Sequence, residues 1–338
     1  MSERTEQPTA TARGSRMDSA TEAFVAHRNL LFTLAYEMLG SAADAEDVLQ
    51  ETWLRWVGVD LGPVLDQRAY LIRIATRQAL KRLRTLDRRK ETYVGPWLPE
   101  PLLTTPDVAE DVELADSVSM AMLLVLETLT PTERAVFVLR EVFELDYDEI
   151  AQAVDKTPAT VRQIAHRARA HVAARRPRGT GSPAEHRAAL QAFQRAVETG
   201  ELQSLLDILA PDVVALSDGG GVKHALLRPI VGADNVARLL AVGWWKRDAE
   251  RSVELVQING GPGLLVRVNG EIDGVVAVRV ENGYVTGAYH VRNPEKLSRM
   301  EQETAVSRSG RNDQQPGAPR RSHAATATSH HAKERPGW

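Results

Sequence analysis

The sequence predicts a multidomain chain: two all-α domains, a helical bundle and a helix-turn-helix unit, followed by an α+β domain. Three observations predict this. Apolar residues recur at helical spacing from Thr21 to Lys90, and again from about Asp116 to Arg176. After Arg178-Gly179-Thr180-Gly181 the pattern shifts toward β-branched, alternating stretches. That half is punctuated by Asn-Gly at 259–260, 269–270 and 282–283. Asn-Gly is the strongest short hairpin signal, because both residues tolerate the positive φ of a tight two-residue turn. A chain of 338 residues has room for all three domains.

Residues 1–19 are polar and are expected to be a disordered tail, with Met17 an alternative start. Domain 20–92 begins with a stripe of Phe24, Leu30, Leu31, Leu34, Ala35 and Met38. Gly40-Ser41 breaks that helix, and S-A-A-D-A-E-D-V-L-Q-E-T-W-L-R-W starts another. Val48, Leu49, Thr52, Trp53 and Trp56 share its inner face, while Asp47, Gln50, Glu51 and Leu54 share an acidic face with one apolar anchor. A loop with Gly58, Gly62 and Pro63 leads to a basic helix from about Arg68. Residues 93–115 form a Pro-rich, acidic linker, of which 93–107, with four prolines, cannot be a helix interior. Domain 116–178 includes the helix start Thr130-Pro131-Thr132-Glu133. In domain 183–292, helices are predicted at 183–198, 202–209 and 233–242, with Gly274–Val280 pairing antiparallel to Tyr284–Val291. Residues 293–338 are expected to be an N-P-E-K-L motif and a disordered tail.

Charge points to the chemistry. The net charge is only −3, but it is unevenly distributed. Residues 73–90 carry eight Lys/Arg against one acid, residues 156–178 carry seven with none, and residues 91–116 carry seven acids and no base. Two basic surfaces joined by an acidic connection suit nucleic acid. Within the second, Asp146 and Glu149 cap one helix, Asp155-Lys156 turns, and Thr157-Pro158 starts the next. Val161, Ile164, Ala165, Ala168 and Val172 face inward, leaving Thr160, Arg162, Gln163, His166, Arg167 and Arg169 to read a major groove. The absence of cysteine excludes disulfides and thiolate zinc sites. Neither an apolar run of membrane-spanning length nor a signal-peptide core is present, so a cytoplasmic protein without membrane, metal or cofactor is expected.

The order of acidic-faced helix, loop and basic helix resembles region 2 of bacterial sigma factors, and residues 116–176 resemble region 4. Two such domains without further regions resemble the extracytoplasmic-function (ECF) class. The resemblance implies RNA polymerase core and promoter DNA as partners. Asp47, Gln50, Glu51 and Leu54 would meet the β′ clamp helices, and the β flap would be a further core contact. Arg73, Arg77, Lys81 and Arg84 would hold backbone phosphates at the −10 element, where a base is flipped into a pocket. Thr160, Arg162, Gln163, His166, Arg167 and Arg169 would read the −35 element, with Arg169 and Arg175 on phosphates.

Three motifs narrow the class: W-L-P-E-P at 97–101, D-G-G-G-V-K at 218–223 and N-P-E-K-L at 293–297. They resemble signatures of ECF sigma factors fused to a cone-shaped SnoaL-like domain. The implied interdomain regulatory residues are Trp97, Leu98, Pro99, Glu100 and Pro101; Asp218, Gly219, Gly220, Gly221 and Lys223; and Asn293, Pro294, Lys296 and Leu297. Val222 displaces the lysine by one position from the usual pattern, which puts its contact in question. The linker tryptophan is expected to dock against the Asp218–Gly221 loop, and Asn293-Pro294 to direct Lys296 and Leu297 away from the last strand. Asp218, Glu271, Asp273 and His290 are the acid–base candidates of a cyclase-like pocket, but no catalysis is expected. The expected function is a sigma factor regulated in cis, needing no separate anti-sigma factor. The alternative is a one-component repressor with a ligand-sensing domain, which has no need of the acidic face.

Overall fold

The computed structural model describes residues 10–105, 108, 111–175, 183–242 and 250–309. Three helices open it: α1 (Ala10–Leu39), α2 (Ala42–Trp56) and α3 (Gln67–Lys90). Gly40, at φ +66°, ends α1, and the Ser41 side chain accepts from Asp44 N–H to start α2. The predicted stripe of α1 and the inner face of α2 are buried, Trp53 partly. The helix does not wait for residue 20, as the expected tail required, but begins at Ala10. Ala20 is buried, and its carbonyl accepts from Trp56 Nε1 at 2.8 Å. No proline lies between Ala10 and this anchor, so the helix propagates back as far as Ala10. Residues 1–9 lie outside the described residues.

The second helical domain contains α4 (Val112–Val118), α5 (Met120–Leu126) and α6 (Pro131–Phe137). A π-helical turn at Val138–Val142 leads to α7 (Tyr147–Val154) and α8 (Pro158–Ala173). It starts earlier than expected because Asp111 caps α4, accepting from Leu114 N–H at 3.1 Å. The capping box at Thr130 and Glu133 forms, Asp155 takes φ +57° between α7 and α8, and the five inward residues of α8 are buried. One hydrophobic core runs through both helical domains, from Ala20 to Val172.

The third domain combines α9 (Pro183–Thr199), α10 (Leu202–Ile208) and α11 (Ala233–Val242) with six strands. These are β1 (Leu209–Asp218), β2 (Ile230–Val231), β3 (Arg251–Ile258), β4 (Gly261–Val268), β5 (Glu271–Glu281) and β6 (Tyr284–Val291). The sheet order is β2-β1-β6-β5-β4-β3, with β1 and β6 parallel and the other pairs antiparallel. All three Asn-Gly pairs form hairpin turns with positive φ at both residues. The expected alternation gives way in the middle of the sheet, where Gly263–Val266 and Gly274–Ala277 are wholly buried. Leu264, Val266 and Val276 pack with the helices of this domain. Leu265, Val275, Ala277, Tyr289 and Val291 cover a second core with Leu98 of the linker and Met120 of α5.

A short helix, α12 (Pro294–Leu297), follows β6. The chain beyond it is not the disordered tail expected as far as residue 309. Met300 is buried, Thr304 N–H donates to Leu103 O at 2.7 Å, and Ser307 N–H donates to Thr33 Oγ1 at 2.9 Å. Val306 enters the helical core, and Arg308 pairs with Asp111 at 2.8 Å and Glu113 at 2.6 Å. Single anchors of this kind carry no periodicity, so a pattern search passes over them. Residues 310–338 lie outside the described residues.

Candidate functional site

The three motifs converge. Asp218, the last residue of β1, is buried, and its carboxylate accepts four hydrogen bonds. The donors are Tyr93 Oη at 2.5 Å, Lys296 Nζ at 2.8 Å, Leu98 N–H at 2.9 Å and Gly220 N–H at 3.0 Å. The buried Lys296 ammonium also donates to Leu98 O at 2.5 Å and lies 3.3 Å from the Trp97 ring centroid. Tyr93 meets Trp97 edge-on at 4.6 Å, completing an aromatic wall around the cation. Burial pulls the Lys296 ammonium down to about 8, against the attraction of Asp218. Burial, followed by the Asp218 carboxylate, pushes the Tyr93 phenol up.

Local structure explains how these groups meet. Asn293 caps α12 by accepting from Glu295 N–H at 3.1 Å, and Pro294 occupies the first helical position. One turn brings Lys296 back toward Asp218 and Leu297 under the sheet. Leu297 is thus not directed away from the strand as expected, because the turn folds its apolar side chain onto the core. Gly220 has φ +64°, and a Cβ there would stand 2.4 Å from Asn293 Cγ, so the loop and the cap fit only with glycine. A Cβ on Gly219 would meet Lys223 O at 2.1 Å, and one on Gly221 would press on Val94 of the linker at 3.4 Å. Lys223 itself departs from the interdomain role. Its ammonium reaches Asp273 of the same domain at 3.1 Å, where Arg292 also pairs at 2.7 Å.

The W-L-P-E-P segment is a strap with two engaged sides. Trp97 and Leu98 face the third domain, whereas Glu100 faces the α1–α2 corner between buried Pro99 and Pro101. Glu100 Oε2 accepts from Ala42 N–H at 2.8 Å, Ala43 N–H at 3.2 Å and Ser41 Oγ at 3.2 Å, at the positive end of α2. Burial nevertheless raises the Glu100 carboxyl above its ordinary value. Tyr36 Oη donates to Glu100 O at 2.6 Å.

Two residues of this site were not singled out in the sequence: Tyr93 and Asn259. Asn259 Oδ1 accepts from Leu102 N–H at 3.0 Å, while its amide donates to Tyr36 Oη at 2.6 Å and Val118 O at 2.9 Å. It thereby ties the linker, α1 and α4 to one hairpin tip. The Asn-Gly signal marked the turn, but nothing local marked the side chain as a bridge.

The other predicted surfaces lie apart from this cluster. Asp47, Gln50, Glu51 and Leu54 are exposed on α2, Leu54 at 69%, with Asp47 held by Arg82 at 2.7 Å. On α8, Thr160, Arg162, Gln163, His166, Arg167 and Arg169 are exposed, and Arg175 follows the helix. Arg169 is engaged by Tyr147 Oη at 3.2 Å. On α3, Lys81 and Arg84 are exposed, but Arg73 donates to Gln152 Oε1 at 3.2 Å and Arg77 to Gln152 O at 2.9 Å. The N-terminal half of the basic face of α3 thus meets α7, and its C-terminal half is open to solvent. The acid–base candidates do not gather in a pocket: Asp218 serves the linker, Asp273 is ion-paired, Glu271 is exposed and His290 is buried. Burial pulls the His290 imidazolium down to about 3. Among the described residues no helix is long and apolar enough to cross a membrane.

Comparison with known proteins agrees with this layout. Residues 23–89 match the family described as Sigma-70 region 2, and residues 119–172 match Sigma-70, region 4. The chain is 34% identical over 301 residues to ECF RNA polymerase sigma factor SigJ of Mycobacterium tuberculosis, covering 81% of this chain and 92% of that protein. It is 34% identical over 293 residues to the protein named Probable ECF RNA polymerase sigma factor SigI of the same species, covering 86% and 98%. The crystal structure of SigJ superposes with a TM-score of 0.65 at 29% identity, over 82% of this chain and 98% of that one.

Proposed function

Because the chain belongs to the ECF RNA polymerase sigma factors, we propose that its linker and third domain hold the two promoter-reading domains in a closed, inactive arrangement. As a sigma factor it works with core polymerase and promoter DNA, and a free-standing repressor is not favoured. In our reading, Asp47, Gln50, Glu51 and Leu54 contact the β′ clamp helices, and the β flap contacts the second domain. Arg73, Arg77, Lys81 and Arg84 serve the −10 element, and the exposed face of α8 serves the −35 element. The work takes place in the cytoplasm, where polymerase and promoters are.

The observation that carries the proposal is the packing of α3 on α7 through Arg73, Arg77 and Gln152. The −10 and −35 elements are about 25 base pairs apart, roughly 85 Å at about 3.4 Å per pair. Surfaces that share one hydrophobic core do not span that distance, and two of the four −10 cations, Arg73 and Arg77, are engaged by α7. Asp218, Lys296 and Asn259 fasten the linker in the same arrangement, so the chain supplies in cis the restraint that a separate anti-sigma factor would supply in trans. The third domain acts as a scaffold and not as an enzyme, since three of its four acid–base candidates, Asp218, Asp273 and His290, are committed to packing and ion pairs and Glu271 stands apart at the surface.

Gln152→Lys tests the proposal by placing a cation against Arg73 and Arg77 while leaving both DNA faces intact. With core polymerase and a randomised promoter library, the variant is expected to raise sequence-specific initiation several-fold over the unmodified chain. Equal initiation by both would refute restraint in cis and leave the sigma assignment standing.

A further inference from the structure

The cone of the third domain, where a small-molecule pocket is usual for such a fold, is filled. About 10 Å³ remains between Phe193, Leu240, Val276 and His290. A cavity of about 280 Å³ lies instead between domains. One wall belongs to the second helical domain, with Ala115, Met120 and Ala121. The opposite wall belongs to the sheet, with Ile258, Pro262 and Ala277. Its lining is mainly apolar, and its ionisable members are Arg187, Arg279, His186 and a single acid, Asp116. Arg279 is held by Thr286 at 2.8 Å and His186 approaches Val280 O at 3.2 Å, whereas Arg187 is exposed at the rim.

We propose that this cavity binds an amphipathic organic anion: an apolar, ring-sized body for the lining and an acidic group for Arg187. A volume near 300 Å³ with few convergent polar groups suits a small ligand. Because each domain supplies only one wall, the complete site exists only while the second and third domains are docked. The ligand therefore binds the closed state and, by linkage, favours it. At a hundredfold excess over its Kd it shifts the closed-to-open ratio by about a hundredfold. This regulatory half rests on the restraint in cis proposed above, whereas the binding half stands on the cavity alone.

The test uses 8-anilinonaphthalene-1-sulfonate as probe, since it combines aromatic rings with a sulfonate. Fluorescence titration of the full chain is expected to show one site. Ala121→Phe, which fills the cavity, and Arg187→Glu, which reverses the rim charge, should each weaken binding at least tenfold. Misfolding of a variant would raise probe fluorescence by exposing apolar surface, so loss of binding is not confused with loss of fold. Unchanged affinity in both variants overturns the site. In the transcription assay the probe should lower initiation by the unmodified chain and not by Ala121→Phe. Binding that is lost in the variants, without any effect on initiation by the unmodified chain, overturns the regulatory half while the sigma assignment stands.

Discussion

Asp218→Asn should release the linker. The carboxylate faces four donors, one of them the ammonium of Lys296, whose side chain is 8% exposed. Asparagine keeps one acceptor oxygen but turns an N–H₂ donor toward groups that are themselves donors. It also leaves a buried cation uncompensated. Removing one member of a buried ion pair costs about 3–5 kcal/mol. That corresponds to a shift of roughly two to nearly four powers of ten in any equilibrium that requires the pair. The most direct reporter is the Leu98 amide, which donates to Asp218 Oδ2 at 2.9 Å. Hydrogen exchange over residues 97–104 should accelerate strongly, while amides of α9 and β4 stay protected. Lys296→Met, combined with Asp218→Asn, removes both charges and should cost less than the sum of the two single changes. If linker exchange is unchanged in a folded Asp218→Asn chain, or if the double change is simply additive, this pair is not the fastening.

The remaining predictions concern the seam, the loop and the DNA faces. Glu37 is buried, with Oε1 accepting from Ser117 Oγ at 2.7 Å, and burial raises its carboxyl to about 8. Its contribution to the closed fold is complete below about pH 4.5 and is lost as pH rises through about 8, on the order of 5 kcal/mol across that window. Thermal melts should therefore show Tm falling from pH 5 to 8, and Glu37→Gln should flatten that slope. Gly220→Ala combines a left-handed φ with a Cβ 2.4 Å from Asn293 Cγ, and should loosen the linker by about 1–3 kcal/mol in the same exchange experiment. Arg162→Ala should relax sequence preference at the −35 element by about 1–3 kcal/mol, whereas Lys81→Ala should lower the salt dependence of promoter binding by about one unit of slope.

Much of the fold was legible because its signals are local. Ser41, Thr130, Asp146 and Thr157 announce helix starts, since capping satisfies backbone donors within three residues. The three Asn-Gly turns are legible for the same reason. The motif clusters were legible as motifs, although Lys223 turned inward to Asp273 and Leu297 folded under the sheet. The ordered stretch 298–309 was hidden, because Val306 and Arg308 act as isolated anchors on distant partners. The double burial of β4 and β5 lies in their unbroken apolar runs, G-L-L-V and G-V-V-A, which a period-two pattern does not describe.

By itself the sequence determined the elements, the two basic surfaces and the sigma-type order of domains, because contacts within about four residues and charge blocks need no knowledge of the fold. Only the tertiary structure decided that α3 lies on α7, that Asn259 bridges three segments and that Lys296 finds Asp218, 78 positions away. Those pairings depend on how faces dock. Asn, Lys, Tyr and Asp are common residues whose types do not disclose which distant partner will desolvate them. The closed arrangement we propose therefore rests on burial at the domain seams, where a few side chains lose their water together.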